Sequence, residues 1–259
     1  MRTLPLLLML LVLFVPSSRA LAAWATFTPR FSVQEEYTDN LFLTAEDEED
    51  DFITRTSIGF TAALIAKTAE LALSYDPSYV FYKEFDENNT WRHEAAFNCD
   101  WDIDKYTHLN LSNDFLRTED PLPKAEIDIL RGDLPPPQVD TTRRIGRDPY
   151  IRNRAQARLT RQFGREDQFY LQYFHRLLDN EDDEFSEDSQ SHNGGAGIAY
   201  WFTKRWGAEL DFGYQRALFD QDNEFAGSPS SDYDRWDGSV RLRYRFSRSL
   251  DGFVSYSHT

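Results

Sequence analysis

The sequence predicts an all-β fold, an antiparallel transmembrane β-barrel of the outer-membrane type. Three observations lead to this prediction: an N-terminal export signal, a two-residue alternation of apolar and polar side chains, and connections that alternate between short and long. A strand that crosses an outer membrane presents one face to lipid and the other to the barrel interior, so these features belong together.

Residues 1–23 have the pattern of a cleaved signal peptide. Arg2 provides the positive start, residues 4–15 form an apolar run, and Ala20-Leu21-Ala22 supplies the small residues that signal peptidase recognises. The apolar run is shorter than the roughly 20 residues that a spanning helix needs. We therefore expect residues 1–23 to be removed and residues 24–259 to form the barrel.

The charge of the mature chain argues against nucleic acid as a partner. Cleavage removes two of the 28 basic residues, Arg2 and Arg19, and no acids, which leaves 26 against 44 acidic residues and a net charge of −18. Binding to phosphate backbones requires a basic surface. The lone Cys99 cannot form an internal disulfide, so the fold of this exported chain must be held together in another way.

Residues 235–246 show the alternation most clearly. One face carries Trp236, Gly238, Val240, Leu242, Tyr244 and Phe246, and the other carries Arg235, Asp237, Ser239, Arg241, Arg243 and Arg245. Successive side chains of a strand point to opposite faces, so this segment separates into an apolar and a charged face.

Related patterns predict eleven strands, at 26–37, 52–64, 69–82, 91–102, 107–118, 150–163, 168–177, 192–202, 206–215, 235–246 and 250–259.

The predicted connections alternate strictly in length. The short ones are 65–68, 103–106, 164–167, 203–205 and 247–249, and the long ones are 38–51, 83–90, 119–149, 178–191 and 216–234. Outer-membrane barrels have short turns at one rim and long loops at the other.

Aromatic residues at strand ends are expected to form two interfacial girdles: Tyr37, Phe52, Tyr82, Trp91, Trp101, Tyr150, Trp201, Trp206 and Trp236.

An odd number of strands predicts that the sequence is truncated. Eleven strands would leave one open edge at the outer rim, and single-chain bacterial barrels have even strand numbers. Residues 255–259 stop within a strand pattern. We therefore expect at least twelve strands in the complete protein, with C-terminal strands missing here.

Charged residues on the polar strand faces are the candidate lining of the interior. The residues singled out are Arg152, Arg154, Arg158, Arg241, Arg243, Arg245, Glu209 and Asp211, and Glu70, Asp76, Glu94 and Asp100 add to the acidic side. Acidic and basic walls that face each other would place a transverse field across a pore and select charged or polar solutes. Alternatively, the same charges pair with one another and plug a narrow interior.

No catalytic, cofactor-binding or metal-binding motif occurs in the sequence. The five histidines lack metal-ligand spacing, and neither a nucleophile elbow nor a phosphate-binding glycine loop is found. Acidic stretches such as residues 46–51, 180–184 and 220–224 are expected to be solvated loops. We therefore expect a protein that is not an enzyme and has no cofactor.

The N-terminal part resembles a known family. The match begins with residues 35–43 (EEYTDNLFL) and the acidic loop that follows. It continues through residues 51–60, which begin Asp51-Phe52-Ile53-Thr54-Arg55 and end Gly59-Phe60. This block resembles the start of the outer-membrane β-barrel family associated with exosortase and PEP-CTERM exopolysaccharide systems. The similarity covers roughly residues 27–118; Ile58 stands where many members have proline. The resemblance implies a barrel that serves polysaccharide secretion or surface organisation, with no catalytic residues to carry over.

The sequence thus predicts an outer-membrane channel, or an export or assembly component, linked to exopolysaccharide secretion. Its expected partners are outer-membrane lipid and lipopolysaccharide, together with exopolysaccharide and its secretion machinery. A general diffusion porin, an outer-membrane hydrolase and a secreted carbohydrate-binding β-sandwich remain alternatives.

Overall fold

The computed structural model describes residues 24–42, 48–120, 149–181, 188–220, 232–247 and 250–259. The predicted signal peptide and most of the 119–149 loop lie outside these residues. The described strands are β1 (Trp24–Thr38), β2 (Asp51–Ile65), β3 (Ala69–Tyr82), β4 (Thr90–Asp104), β5 (Thr107–Thr118), β6 (Tyr150–Gln162), β7 (Gln168–Asn180), β8 (Asp188–Tyr200), β9 (Trp206–Asp220), β10 (Tyr233–Arg245) and β11 (Asp251–His258). A 3-10 turn, Asp86–Asn88, lies between β3 and β4. In the described part of the chain, no helix is long and apolar enough to cross a membrane.

The strands form one antiparallel sheet in which strand order follows sequence order from β1 to β11. The β1–β2 ladder runs without a break from Trp24 opposite Ile65 to Thr38 opposite Asp51. Strands β2 to β10 pair with a neighbour along both edges, as a membrane-spanning sheet requires. The pairing is interrupted between β2 and β3 at Asp76 and Pro77, and on β10 the β11 ladder begins only at Gly238. Within the described residues, β1 pairs only with β2 and β11 only with β10.

The connections define two rims of the sheet. At the short-turn rim the strand ends are separated by few residues in the sequence, at 66–68, 105–106, 163–167, 201–205 and 246–250. At the long-loop rim they are separated by longer segments, 39–50, 83–89, 119–149, 181–187 and 221–232, of which the structure describes 39–42, 48–50, 83–89, 119–120, 149, 181 and 232. The predicted alternation of short and long connections is confirmed. The sheet has the meander topology, alternating loop lengths and two-faced strands of an outer-membrane β-barrel, so the predicted fold class is confirmed as well.

Three strands extend at least three residues further towards the long-loop rim than the sequence pattern predicts. The β7 strand reaches Asn180, β8 begins at Asp188, and β9 reaches Asp220. The backbone N–H of Asn180 donates to the Asp188 carboxylate at 2.7 Å, which holds the β7–β8 hairpin together near its end. The β8 extension, residues 188–191, is polar on both faces, and the β9 extension has Ala217, Leu218 and Phe219 in succession. The alternation therefore disappears from the sequence there although the backbone ladder continues.

The apolar face of the sheet is exposed. On β9 and β10 the exposed fractions are 49% for Leu210, 53% for Phe212, 49% for Val240 and 43% for Leu242. Val240 lies opposite Leu210, whereas Arg241 lies opposite Glu209 on the other face, as predicted. A contiguous exposed apolar surface of this extent is unusual for a water-soluble monomer.

Six of the nine predicted girdle aromatics lie on the apolar face, and the prediction was wrong for Tyr82, Tyr150 and Trp201. Tyr82 and Tyr150 are buried on the polar side of β3 and β6, with exposed fractions of 0% and 2%. The Trp201 ring packs beneath the guanidinium of Arg245, 4.2 Å from the ring centroid. Position at a strand end therefore does not decide the face; the parity of the residue along the strand does.

A small apolar core lies against the polar face at the long-loop rim. It consists of Leu41, Ile53, Val80 and Tyr82, with Phe42 and Phe85 packed against it. The buried carboxylate of Asp51 accepts hydrogen bonds from the backbone N–H groups of Lys83 and Glu84 at 3.2 and 3.1 Å. This core anchors both ends of the β1–β2 loop and the start of the β3–β4 loop.

The face assignment predicts unequal effects of two arginine substitutions on β10. Leu242→Arg places a charge on the exposed apolar face and should lower the free energy of unfolding in a bilayer by roughly 2–4 kcal/mol near the midplane. Ser239→Arg lies on the polar face beside Asp211, whose carboxylate now accepts from the Ser239 hydroxyl at 3.1 Å. The Ser239→Arg substitution should therefore lower the free energy of unfolding much less than Leu242→Arg does. Denaturant titration of the two variants in lipid vesicles tests the difference, and equal losses would contradict the face assignment.

Candidate functional site: the polar face of the sheet

The polar face runs across all eleven strands and is the candidate functional surface. Residues that lie directly opposite one another in the ladders share a face, so the register traces the polar face from Ser239 through Asp211, Gly197 and Tyr170 to Thr160. All eight predicted lining residues lie on this face: Arg152, Arg154 and Arg158 on β6, Glu209 and Asp211 on β9, and Arg241, Arg243 and Arg245 on β10.

Glu209 is shared by two arginines of the neighbouring strand. Its Oε2 atom lies 2.9 Å from Arg241 Nη1, and its Oε1 atom lies 2.7 Å from Arg243 Nη1. The acidic and basic residues of β9 and β10 therefore neutralise each other side by side and do not form walls that face each other. Charge-assisted hydrogen bonds of this length fix the orientation of all three side chains.

Asp211 does not take part in these ion pairs. Its Oδ1 accepts from the Tyr170 hydroxyl at 2.6 Å and its Oδ2 accepts from the Ser239 hydroxyl at 3.1 Å. Tyr170 is on β7 and Asp211 on β9, so the hydrogen bond passes over β8. This is possible because the intervening residue is Gly197, where an added Cβ would lie 2.3 Å from the Tyr170 ring and 2.5 Å from the Asp211 carboxylate.

Arginines dominate the polar face of β6 and β7. Arg154 lies directly opposite Arg176, and Asp114 lies opposite Arg154 on its other side. Arg158 donates to the Gln172 side chain at 3.0 Å and stacks over the Tyr170 ring, 4.1 Å from its centroid. Like charges placed directly opposite in a ladder repel, so Asp114 is important for this part of the face.

Acidic residues dominate the polar face of β3 and β4. Glu70 lies opposite Asp100, and Asp76 lies opposite Glu94. Asp76 is also salt-bridged to Arg30 on β1. The polar face thus carries an acidic strip on β3 and β4, a basic strip on β6 and β7, and internally paired charges on β9 and β10.

The short-turn rim holds a second ion-pair cluster around Arg245. Its guanidinium donates to Glu166 at 2.7 Å, in the β6–β7 turn, and to Asp251 at 3.2 Å. The hydrogen bond from Arg245 lowers the pKa of Glu166 below its ordinary value of 4.5. The cluster joins the end of β10 to the turn before β7, three strands away in the sheet, and so links distant parts of the short-turn rim.

Sequence reasoning missed a buried network at the long-loop rim. Glu119, 1% exposed, accepts from Arg92 Nε at 2.8 Å, from Arg92 Nη2 at 2.7 Å and from the Tyr82 hydroxyl at 2.9 Å. Asp120 bridges Arg92 to Arg55 on β2. The alternation places Arg92 on the polar face, but Glu119 follows β5 in a loop, where no periodicity reveals its partner. Removing one side of such a buried pair typically costs about 3–5 kcal/mol.

A cavity of about 430 Å³ opens on the polar face of β7 to β11. Its lining includes Phe174, Arg176, Asn193, Asp211, Gln215, Arg235 and Asp237. The surface offers hydrogen-bond donors and acceptors, guanidinium groups and an aromatic ring. Such a lining can form hydrogen bonds with a polar solute or with water. In the described part of the chain, no group of three or more His, Cys, Asp or Glu side chains is arranged to hold a metal ion.

Two glycines of β8 provide a test of the Tyr170–Asp211 contact. Gly197→Ala should displace the Tyr170 ring or the Asp211 carboxylate and lower the free energy of unfolding by about 1–3 kcal/mol. Gly194→Ala is the matched control, because a Cβ at Gly194 has no heavy atom within 4 Å. Both variants change glycine to alanine in the same strand. The denaturant midpoints of the two variants test this expectation. Equal shifts of both midpoints would contradict a role for the Tyr170–Asp211 contact in stability.

The Glu166–Arg245 pair predicts a component of acid sensitivity. A carboxyl group with a lowered pKa in the folded state stabilises the fold fully above its unfolded value of 4.5, and this contribution is lost as pH falls through the lower folded value. Glu166→Gln should therefore flatten the dependence of stability on pH below 4.5 and leave its shape at neutral pH unchanged. The effect should be small because the side chain of Glu166 is 44% exposed. Unfolding midpoints across this pH range test it, and an unaltered acid slope would argue against the pair.

Known structures share the strand arrangement only distantly. No protein-family model and no curated protein matches the chain. Similar solved structures include a FadL homologue from Pseudomonas aeruginosa (11% identity, TM-score 0.37, 90% of this chain and 66% of that chain), the toluene transporter TodX from Pseudomonas putida (11%, 0.35, 91% and 74%) and the monoaromatic hydrocarbon channel CymD (12%, 0.34, 91% and 74%). This chain spans about two thirds of the length of the FadL homologue. Similarity at this level does not assign a substrate to the chain.

Proposed function

We propose that the protein is an outer-membrane β-barrel channel for polar solutes and has no enzymatic activity. The observation that carries the proposal is the division of one continuous sheet into an exposed apolar face and a charged, hydrogen-bonded face. A barrel built from such a sheet places the apolar face in lipid and encloses the polar face. The location that follows from this arrangement is the outer membrane.

The dimensions of the strands support this proposal. Most of them contain 13–15 residues, as in β2 with 15 and β10 with 13. About 9–11 residues suffice to cross a bilayer when a strand is tilted. The remaining residues extend the strands beyond the length that a bilayer requires, as in β8, where residues 188–191 carry polar side chains on both faces.

The polar face determines which solutes we expect to pass. Ion pairs leave β9 and β10 nearly neutral, whereas β6 and β7 carry Arg152, Arg154, Arg158 and Arg176. Aromatic rings lie among these charges: Tyr170 beneath Arg158 and Phe174 beside Arg176. Guanidinium groups bind carboxylates, and the C–H faces of sugar rings pack on aromatic rings. This combination suits an acidic or neutral sugar chain better than a cation.

The finer proposal is that the channel takes part in exopolysaccharide secretion. It is supported by the resemblance of residues 27–118 to barrels of exosortase-associated systems and by the sugar-compatible lining of the polar face. Exopolysaccharide and its secretion machinery would then be partners, together with the lipids of the outer membrane. A cluster of glycosyltransferase or exosortase genes around the coding sequence would be expected.

Ion selectivity in planar bilayers tests the channel proposal. Arg241→Gln with Arg243→Gln removes two positive charges and leaves Glu209 without its partners, so the selectivity should shift towards cations. Glu209→Gln is the reciprocal variant and should shift it towards anions. Both shifts should diminish with salt, because exposed charges are screened beyond about 10 Å at 0.1 M.

Conductance and stability together separate an open interior from a plugged one. An open channel conducts before and after the substitutions, and the folded barrel survives. A plugged interior shows little conductance in either form and loses stability when Glu209 is left unpaired. A folded, conducting protein whose selectivity responds to neither variant would contradict the assignment of this face to the channel lining.

A further inference from the structure

The apolar face carries the same three-residue arrangement twice, near the long-loop rim. In the first copy, the Tyr75 hydroxyl on β3 lies 2.9 Å from Nδ1 of His93 on β4, and His93 lies opposite Arg117 on β5. In the second copy, the Tyr173 hydroxyl on β7 lies 2.6 Å from Nδ1 of His192 on β8, and His192 lies opposite Arg216 on β9. The copies are four strands apart. We call them the first and second Tyr–His–Arg sets.

The two sets are equivalent in register as well as in composition. Tyr75 lies opposite Ala95 and Tyr173 opposite Gly194, so each histidine is two residues closer to the long-loop rim than the residue opposite its tyrosine. On β8 the second set borders the apolar band, because Gln190 and Asp188 follow His192 on the same face towards the long-loop rim. The first set lies deeper, because the exposed rings of Tyr79 and Trp91 are on its rim side. Polar groups at the depth of the second set meet the headgroups of the outer leaflet if the protein lies in the outer membrane as proposed.

The first set already holds an anion of its own chain. Arg117 donates from Nε to Glu181 Oε1 at 2.7 Å and from Nη2 to Glu181 Oε2 at 2.9 Å. This is the two-pronged geometry with which arginine binds carboxylates and phosphates. The arrangement of strands thus presents the arginine of a set to an anion beside the sheet.

The second set has no such anion from the described residues. Arg216 is exposed, and its guanidinium interacts with the Tyr214 hydroxyl, but no described carboxylate forms a salt bridge with it. Its cross-strand neighbour Asp234 instead accepts from the Tyr214 hydroxyl at 2.6 Å. Tyr173 binds Nδ1 of His192, and among the described residues Nε2 has no hydrogen-bond partner. The His175 ring packs 4.8 Å from the His192 ring and fixes its position.

We propose that Arg216 and His192 bind a phosphate group of lipopolysaccharide in the outer leaflet. This inference rests on the proposed function, because it requires the apolar face to lie in the outer membrane. The rest of the molecule supports a lipid ligand: Phe212 and Trp236, 53% and 57% exposed, lie on the membrane side of Arg216 and pack with ring centroids 5.5 Å apart. Acyl chains would cover these rings while the phosphate occupies the second set.

Binding to defined lipid tests the proposal. The mature protein is reconstituted in vesicles that contain either diphosphorylated or dephosphorylated lipid A, and binding is measured by native mass spectrometry after detergent extraction. Arg216→Gln should weaken retention of the phosphorylated form by about tenfold, as expected for the loss of one charge-assisted contact. His192→Phe keeps an aromatic ring without its nitrogens and should also weaken it. Lys204→Gln, which removes an exposed charge at the opposite rim, is the matched control and should have no effect.

Each other outcome would overturn the proposal. Equal retention by wild type and Arg216→Gln, or equal binding of the two lipid A forms, would show that the second set does not bind lipid phosphate. Competition by inorganic phosphate at millimolar concentration would indicate a site for free phosphate. Conductance of the same reconstituted samples keeps the two proposals apart: a conducting protein that fails these tests refutes the lipid site alone, whereas a protein that does not enter the vesicles refutes the proposed function.

Discussion

The backbone hydrogen-bond ladder from β1 to β11 is the interaction on which the other features of the structure depend. Side chains alternate along each strand, so the register of a ladder decides which residues face lipid and which face the interior. A slip of one residue would exchange the two faces of a whole strand. Two glycines of β8 illustrate this constraint: Gly197 lies beneath the Tyr170–Asp211 hydrogen bond, whereas a Cβ at Gly194, on the other face, would have no heavy atom within 4 Å.

The alternation in the sequence was sufficient to predict all eleven strands, the two faces and the order of short and long connections. It predicted Arg241 and Arg243 on the face opposite Leu242 because parity is a local property. It could not predict that both arginines would share Glu209, or that Asp211 would bind Tyr170 instead, because these pairings depend on the register between strands. Tyr82 and Trp201 were misplaced because their position at strand ends was given more weight than their parity. The Arg92–Glu119 pair was missed because one partner lies in a loop.

If the protein is the proposed channel, charge on the polar face serves both its stability and its solute selection. Glu209, Glu166 and Asp114 each lie beside arginines that would otherwise repel one another, so their removal changes both the field and the fold. The small core around Leu41 and the buried Arg92 network stabilise the long-loop rim by packing and hydrogen bonding on the polar face. The rim near β2 to β5 is therefore held by packing and buried hydrogen bonds, whereas the polar face of β7 to β11 offers a cavity with a mixed polar and aromatic lining.

The strict sequence order of the strands has a consequence for evolution. Every described strand pairs with its neighbours in the chain. A hairpin therefore forms backbone hydrogen bonds only within itself and with the two hairpins beside it. Duplication or loss of one hairpin would alter the circumference by two strands and leave the register of the remaining ladders intact. The width of such a barrel can therefore change in discrete steps, independently of the side chains that determine its chemistry. The recurrence of the Tyr–His–Arg set after two hairpins is what growth by duplication of such units would leave behind.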